Sequence, residues 1–152
     1  MATTFAGREE ILAAAGRDLG ASDWFEVTQE KINQFAEATG DHQWIHVDVE
    51  RAKQGPFGGT IAHGYFTLSL GPMLMKGLIS MEGTKMGINY GLNKVRFTNP
   101  VPVGKRVRLR AKVASVEEIK SNGVRLIYDV TFEIEGEEKP AAVAQTIFLA
   151  YF

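Results

Sequence analysis

At 152 residues the chain is long enough to bury one sizeable core and short for two, so a single domain over residues 1–152 is expected. Its 45% hydrophobic and 23% charged residues exclude disordered, collagen-like and disulfide-scaffold classes, and a formal net charge of −1 offers no global field to nucleic acid or an anionic membrane. With no cysteine, disulfides, thiolate metal sites and cysteine nucleophiles are excluded.

In chain order, Arg8 to Ala15 carries Ile11, Leu12 and Ala15 at helical spacing and stops at Gly16, which predicts a short helix. The same stretch holds Glu9 and Glu10 and no apolar run, so no secretion signal is read there and a cytoplasmic location is expected. Trp24-Phe25-Glu26-Val27 is β-prone. Thr28 is placed to cap a helix whose apolar stripe is Ile32, Phe35 and Ala36, ending near Thr39-Gly40. Asp41 to Val47 has no strand or helix pattern and reads as a loop, after which Asp48 caps a turn through Lys53. Beyond the break at Gln54 to Gly59, Gly64 to Ser80 is apolar nearly all round, as a buried helix is. Gly71, Pro72 and Lys76 leave it short of the ~20 apolar residues of a membrane helix.

From Lys85 the period changes to two. Val124, Leu126, Tyr128, Val130, Phe132 and Ile134 alternate with polar residues, Arg106 to Val113 does likewise, and Gly87 to Phe97 and Ala141 to Tyr151 are strand-like. Helices followed by a run of antiparallel strands, without a βαβ rhythm, predict an α+β domain: a curved antiparallel sheet wrapped around the Gly64–Ser80 helix.

The distinctive local feature is Asp41-His42-Gln43-Trp44-Ile45-His46, an acid and an imidazole five residues apart in one loop. A carboxylate and a neutral imidazole converging on one water would polarise it and take its proton. The plainer alternative is that Asp41 caps a turn and His46 packs. His63-Gly64 begins the buried helix, where unpaired N–H groups favour negative charge and a glycine permits close approach. An enoyl thioester uses such an arrangement, because water adding at C3 pushes charge onto the thioester oxygen, where an N–H stabilises it.

Asp41-x-x-x-x-His46, Ile61-Ala62-His63-Gly64 and Asn99-Pro100-Val101-Pro102-Val103-Gly104 together resemble the MaoC-like, R-specific enoyl-CoA hydratase family over almost the whole chain. The Asp41 to His46 loop and Ile88 to Phe97 resemble its nodulation-protein-N-like branch. The resemblance implies a hot-dog fold, a homodimer and an acyl-CoA tunnel near the subunit interface. It assigns the catalytic water to Asp41 and His46 and the thioester carbonyl to the Gly64 N–H. It implies no cofactor, the coenzyme A or acyl-carrier-protein thioester being the substrate. Rival readings are a 3-hydroxyacyl-ACP dehydratase, an acyl-CoA thioesterase of the same fold, and a non-catalytic acyl-thioester binder.

The chain departs from the family pattern Asp-x-Asn-Pro-x-His by having Gln43 and Trp44, and a serine that many members carry eight residues after the glycine is Pro72 here. The proline removes a hydroxyl and is placed to kink the helix, which bears on acyl-chain specificity more than on water chemistry. His42 and His63 raise the question of a metal, but no spacing resembles a helical metal pair and none is expected; His63 is placed to help order the loop. Arg106, Arg108, Arg110 and Lys112 share one strand face, with Lys94 and Arg96 expected on the neighbouring strand. These read as a solvated face rather than a phosphate site. Asn89 and Tyr90 are expected to pair within the core, and Trp24 and Trp44 to pack in the core or tunnel wall.

Overall fold

The computed structural model describes residues 1–152. In chain order it runs β1 (Thr3–Phe5), α1 (Arg8–Leu12), β2 (Asp18–Ala21), β3 (Phe25–Glu26), α2 (Gln29–Thr39), α3 (Trp44–Val47), α4 (Val49–Lys53), α5 (Gly64–Ser69), α6 (Gly71–Lys76), β4 (Ile79–Met81), β5 (Met86–Phe97), β6 (Arg106–Ile119), β7 (Gly123–Ile134) and β8 (Ala142–Tyr151). Period-two alternation has become the main sheet, antiparallel throughout, in the order β2-β6-β7-β8-β5 with β3 also on β6. Val107, Leu109, Ala111 and Val113 of β6 and Val124 through Ile134 at alternate positions of β7 are buried, so one face of these strands forms the core. The β6–β7 turn holds Ser121 at φ 63° and Asn122 at φ 56°, the left-handed pair of a tight hairpin.

Phe66, Leu70 and Leu74 from the helical segment join the same core cluster as Leu109, Tyr128 and Phe132, which gives the hot-dog arrangement of a curved sheet around a central helix. The helix packs on this sheet face at Gly71, where even a Cβ would meet the ring of Phe132, itself 1% exposed, at an ordinary contact distance of 3.6 Å. Removing that ring in Phe132→Ala is expected to cost about 3–5 kcal/mol.

The fold class stands as expected, but the central helix is not continuous to Ser80. It is two short helices meeting at Leu70, which keeps φ −72° and ψ −16°. Pro72, in the first turn of α6, has no N–H for an upstream carbonyl and so forces the break. Ile79–Met81 then leaves as β4 and pairs in parallel with β1. A second correction concerns Lys94 and Arg96: β5 lies at the far edge of the sheet, with β7 and β8 between it and β6, so these residues do not neighbour the Arg106–Lys112 stripe. No helix is long and apolar enough to cross a membrane.

The entry to the Asp41 loop is set by local chemistry. Thr28 caps α2 by accepting the Lys31 N–H at 3.3 Å. At the other end Gly40, at φ 80°, takes the left-handed cap position and gives its N–H to Ala36, so the chain turns sharply into Asp41.

Candidate active site

The stretch read as a loop contains one helical turn, α3, too short to show a period in sequence. That turn carries His46 inward to 7% exposure, where its Nδ1 lies 2.8 Å from the Ile61 carbonyl oxygen. A carbonyl can only accept, so the proton sits on Nδ1 and the Nε2 lone pair is free. Asp41 is exposed, and its Oδ1 accepts the Gln43 N–H at 3.3 Å. The turn-capping role is therefore real, and it leaves the second carboxylate oxygen without a protein partner.

His63, 3% exposed, donates from Nε2 to the Asp41 backbone carbonyl at 3.0 Å. Its ring stacks on His46 with centroids 3.9 Å apart and planes inclined by 24°, and Phe35 covers it at 4.9 Å. Burial holds the His63 pKa below its ordinary value, with nearby His46 and His42 lowering it further against the opposing pull of Asp41. Donor atoms of Asp41, His46 and His63 all lie within 4.8 Å of one another. Two hydrogen bonds of about 2.8 Å to one shared water span such a gap. A metal suits it less: an imidazole nitrogen binds a cation in the plane of its ring, and stacked rings hold their lone pairs in nearly parallel planes instead of converging on one ion.

Gly64 opens α5, and no protein acceptor takes its N–H. Packing within the chain supplies a reason for glycine besides the expected approach of a substrate. A Cβ at Gly64 would stand 2.8 Å from the ring of Phe97, so the residue is small because Phe97 lies on it. His46, Gly64, Thr67, Phe57, Phe97 and Asn99 are among the residues lining a cavity of about 270 Å³; Asp41 is not part of that lining. A second, mostly apolar cavity of about 780 Å³ begins at Leu68 and is walled by Pro72, Met75, Tyr128 and Phe148 among others. Pro72 thus lines the larger space. So does Asn89, which is exposed and makes no side-chain hydrogen bond within the chain, contrary to the expected core pairing. Tyr90 is also exposed, with Arg125 5.9 Å over its ring.

The remaining candidates fall outside the site. His42 is half exposed and lies 3.5 Å from Glu37. Arg106 pairs with Glu135, and Arg108 and Arg110 share Glu133, so the three arginines of the basic stripe are engaged by carboxylates on a solvated face. Trp44 and Trp24 pack under Arg51 and Arg108, at 4.3 and 4.4 Å.

Sequence reasoning missed Gln29 and Thr60. Gln29 donates from Nε2 to the His46 carbonyl at 2.8 Å and accepts the hydroxyl of the buried Thr60 through its other amide atom, tying α2, α3 and the approach to α5 together. Nothing local marks a glutamine at a helix start for contacts 17 and 31 residues away.

The MaoC like domain model matches residues 10–132. The chain is 54% identical over 144 residues to 3-hydroxyacyl-thioester dehydratase Z of Mycobacterium tuberculosis, covering 95% of each. It is 44% identical over 145 residues to nodulation protein N of Rhizobium leguminosarum bv. viciae, covering 94% of this chain and 90% of that protein. A monoamine oxidase regulatory protein from Archaeoglobus fulgius superposes with TM-score 0.78 at 25% identity, covering 100% and 99% of the two chains. An (R)-hydratase from A. caviae involved in PHA biosynthesis superposes with TM-score 0.69 at 21% identity, covering 88% and 94%, a likeness of fold.

Proposed function

The chain belongs to the MaoC-like family, in its nodulation-protein-N-like branch, and from that premise we propose that it reversibly adds water to trans-2-enoyl-CoA, giving (R)-3-hydroxyacyl-CoA. The coarser assignment, a hydro-lyase acting on thioesters, rests on the 54% identical relative being named a 3-hydroxyacyl-thioester dehydratase. The observation that carries the finer reading is the gap of no more than 4.8 Å between Asp41 and a His46 ring whose Nδ1 is turned to the Ile61 carbonyl, which leaves Nε2 as the nitrogen for the water.

Asp41 and His46 hold one water between them, and Asp41 takes its proton as the oxygen bonds to C3. The π electrons move through C2 onto the thioester oxygen, where the unspent Gly64 N–H receives the charge. The proton carried by the pair is then delivered to C2, so that H and OH are added across the double bond. Run backward, the same steps dehydrate a 3-hydroxyacyl thioester, the direction favoured by the relative's name. No resident cofactor or metal enters this scheme; the coenzyme A or acyl-carrier-protein group belongs to the substrate.

A homodimer is part of the proposal. Edge strand β5 exposes Met86, Ile88, Tyr90 and Leu92, an apolar strip that a second copy would cover. Light scattering on the eluted protein tests it, with a monomer as the opposing result.

The activity test supplies crotonyl-CoA, longer enoyl-CoAs and the matching acyl-carrier-protein thioesters, follows the conjugated double bond and free thiol together, and resolves the product enantiomers. The expected result is loss of conjugation without thiol release and an R product. Thiol release without hydroxyacyl product would support a thioesterase, and inactivity on every chain length and carrier a non-catalytic binder.

A further inference from the structure

The four residues Ile61-Ala62-His63-Gly64 act as a receptacle for the loop opposite them. The Ile61 N–H goes to the Ile45 carbonyl at 3.0 Å, the Ile61 carbonyl takes the His46 Nδ1–H at 2.8 Å, and the Ala62 N–H goes to the Val101 carbonyl at 2.8 Å. The His63 carbonyl accepts the Thr67 N–H at 3.2 Å, which starts α5. The backbone of this segment thus fixes itself to the core, fixes one ring nitrogen of His46, and delivers Gly64.

What the backbone does not fix is the Asp41 end of the loop. Asp41 is exposed; its N–H goes to the Thr39 hydroxyl at 3.4 Å and its carboxylate takes the Gln43 N–H, both bonds local to the turn, and its hydrogen bond to the rest of the site is the one from His63. The same His63 ring lies flat on His46. One buried side chain therefore touches both ends of the six-residue span from Asp41 to His46 and is joined by a peptide bond to Gly64.

We propose that His63 is a positioning residue for the reaction: it sets the separation between the Asp41 carboxylate and His46 Nε2, and refers both to the Gly64 N–H. The inference rests on the water-addition reading of Asp41, His46 and Gly64. His63 takes no proton from substrate. Its Nε2–H is spent on the Asp41 carbonyl, and its Nδ1 is buried without a partner. Its effect is geometric, and geometry is costly to lose, since a misplacement of about 1 Å at a reacting group lowers a rate by about 10².

Three substitutions separate the two contacts. His63→Gln keeps an N–H of similar reach and loses the stack; His63→Phe keeps the stack and loses the donor; His63→Leu loses both. The expected result is a fall in kcat of about 10-fold in the first two and about 10² in the third, with KM within about threefold of the parent. In an Asp41→Asn background His63→Leu should cost less than about threefold more, because the carboxylate whose distance to His46 it sets is already gone. A His63→Leu protein with parental kcat, or one that loses as much in the Asp41→Asn background as in the parent, overturns the inference. Should these variants fail to fold, long-range ¹H–¹⁵N spectra of the unaltered protein decide it: His63 is expected as the Nε2–H tautomer beside an Nδ1–H His46, and an Nδ1–H His63 contradicts the proposal. If Asp41→Asn alone retains the parental rate, the site reading fails and this inference falls with it. If Asp41→Asn is inactive while His63→Leu is unimpaired, the inference alone fails.

Discussion

The β6–β7 face and the Asp41–His46 loop both carry ionisable side chains and spend them in opposite ways. Across the strands each arginine is matched: Arg106 to Glu135, Arg108 and Arg110 to Glu133, Arg125 to Glu117. In the loop His42 faces Glu37 outside the site, and the two buried imidazoles bond to backbone, His46 to Ile61 and His63 to Asp41. They leave a carboxylate oxygen unspent within 4.8 Å of the His46 ring, and His46 in turn lines one small cavity with Gly64, whose N–H is unspent. A satisfied cluster stabilises modestly and has nothing left to offer a ligand. A partly unsatisfied one, held in place by its neighbours, is costly to maintain and is where a water and a carbonyl can bind.

The sharpest way to break this contrast is to blunt the unspent groups singly. Asp41→Asn and His46→Gln are each expected to lower the hydration rate by about 10² or more, with the circular dichroism spectrum and melting temperature near the parent's. Next in size is the Gly64 N–H. Gly64 is the first residue of α5, a position that accepts proline, and His63 at φ −59° and ψ 140° already has the backbone that a following proline requires. With Phe97→Ala to make room, Gly64→Ala keeps the N–H and Gly64→Pro removes it. The proline form is expected to be slower by about 10² in kcat, measured against the alanine form in the same background.

A smaller effect separates the regions by pH. His63 is held below its ordinary 6.5, so the unfolded chain binds that proton more readily than the folded one. Its stabilising contribution is complete above 6.5 and declines as pH falls from there toward the lower folded value. Its partners in this are His46, His42 and Asp41. Burial raises the Glu133 carboxyl, but the hydrogen bonds from Arg108 and Arg110 outweigh it and hold the group below its ordinary 4.5, so that contribution is lost only as pH falls through the lower folded value. Melting temperature against pH should therefore decline first below 6.5, and His63→Phe should flatten that first decline while leaving the second. The smallest effect is expected for Glu133→Gln: unchanged hydration kinetics and a stability loss within about 1 kcal/mol by chemical denaturation. A large kinetic loss there would erase the contrast between the regions.

The sheet was readable in advance because alternation at β6 and β7 is a local pattern repeated over a dozen positions. Thr28 and Gly40 were readable for the same reason, as each cap is a property of a few adjacent residues. Asp41, His46 and Gly64 could be singled out by residue type and likeness to a family, but not the approach of Asp41 to His46 and His63. The stack of His63 on His46 and the bridge from Gln29 to Thr60 depend on which turn faces which, information spread over distant segments. Strand order is similarly absent from periodicity, which is why Lys94 and Arg96 were set beside the wrong strand. Pro72 was visible as a kink, yet whether the chain resumes as helix or leaves as β4 depends on its pairing with β1.

The account stands most directly on Asp41 and His46 serving one water. Its measurement is the hydration rate of Asp41→Asn/His46→Gln beside the two single variants. If both residues act on the same water, the double variant should be no more than about tenfold slower than the slower single one. Losses that multiply in full, to about 10⁴ from two losses of about 10², would mean that the residues act independently and would contradict the shared site.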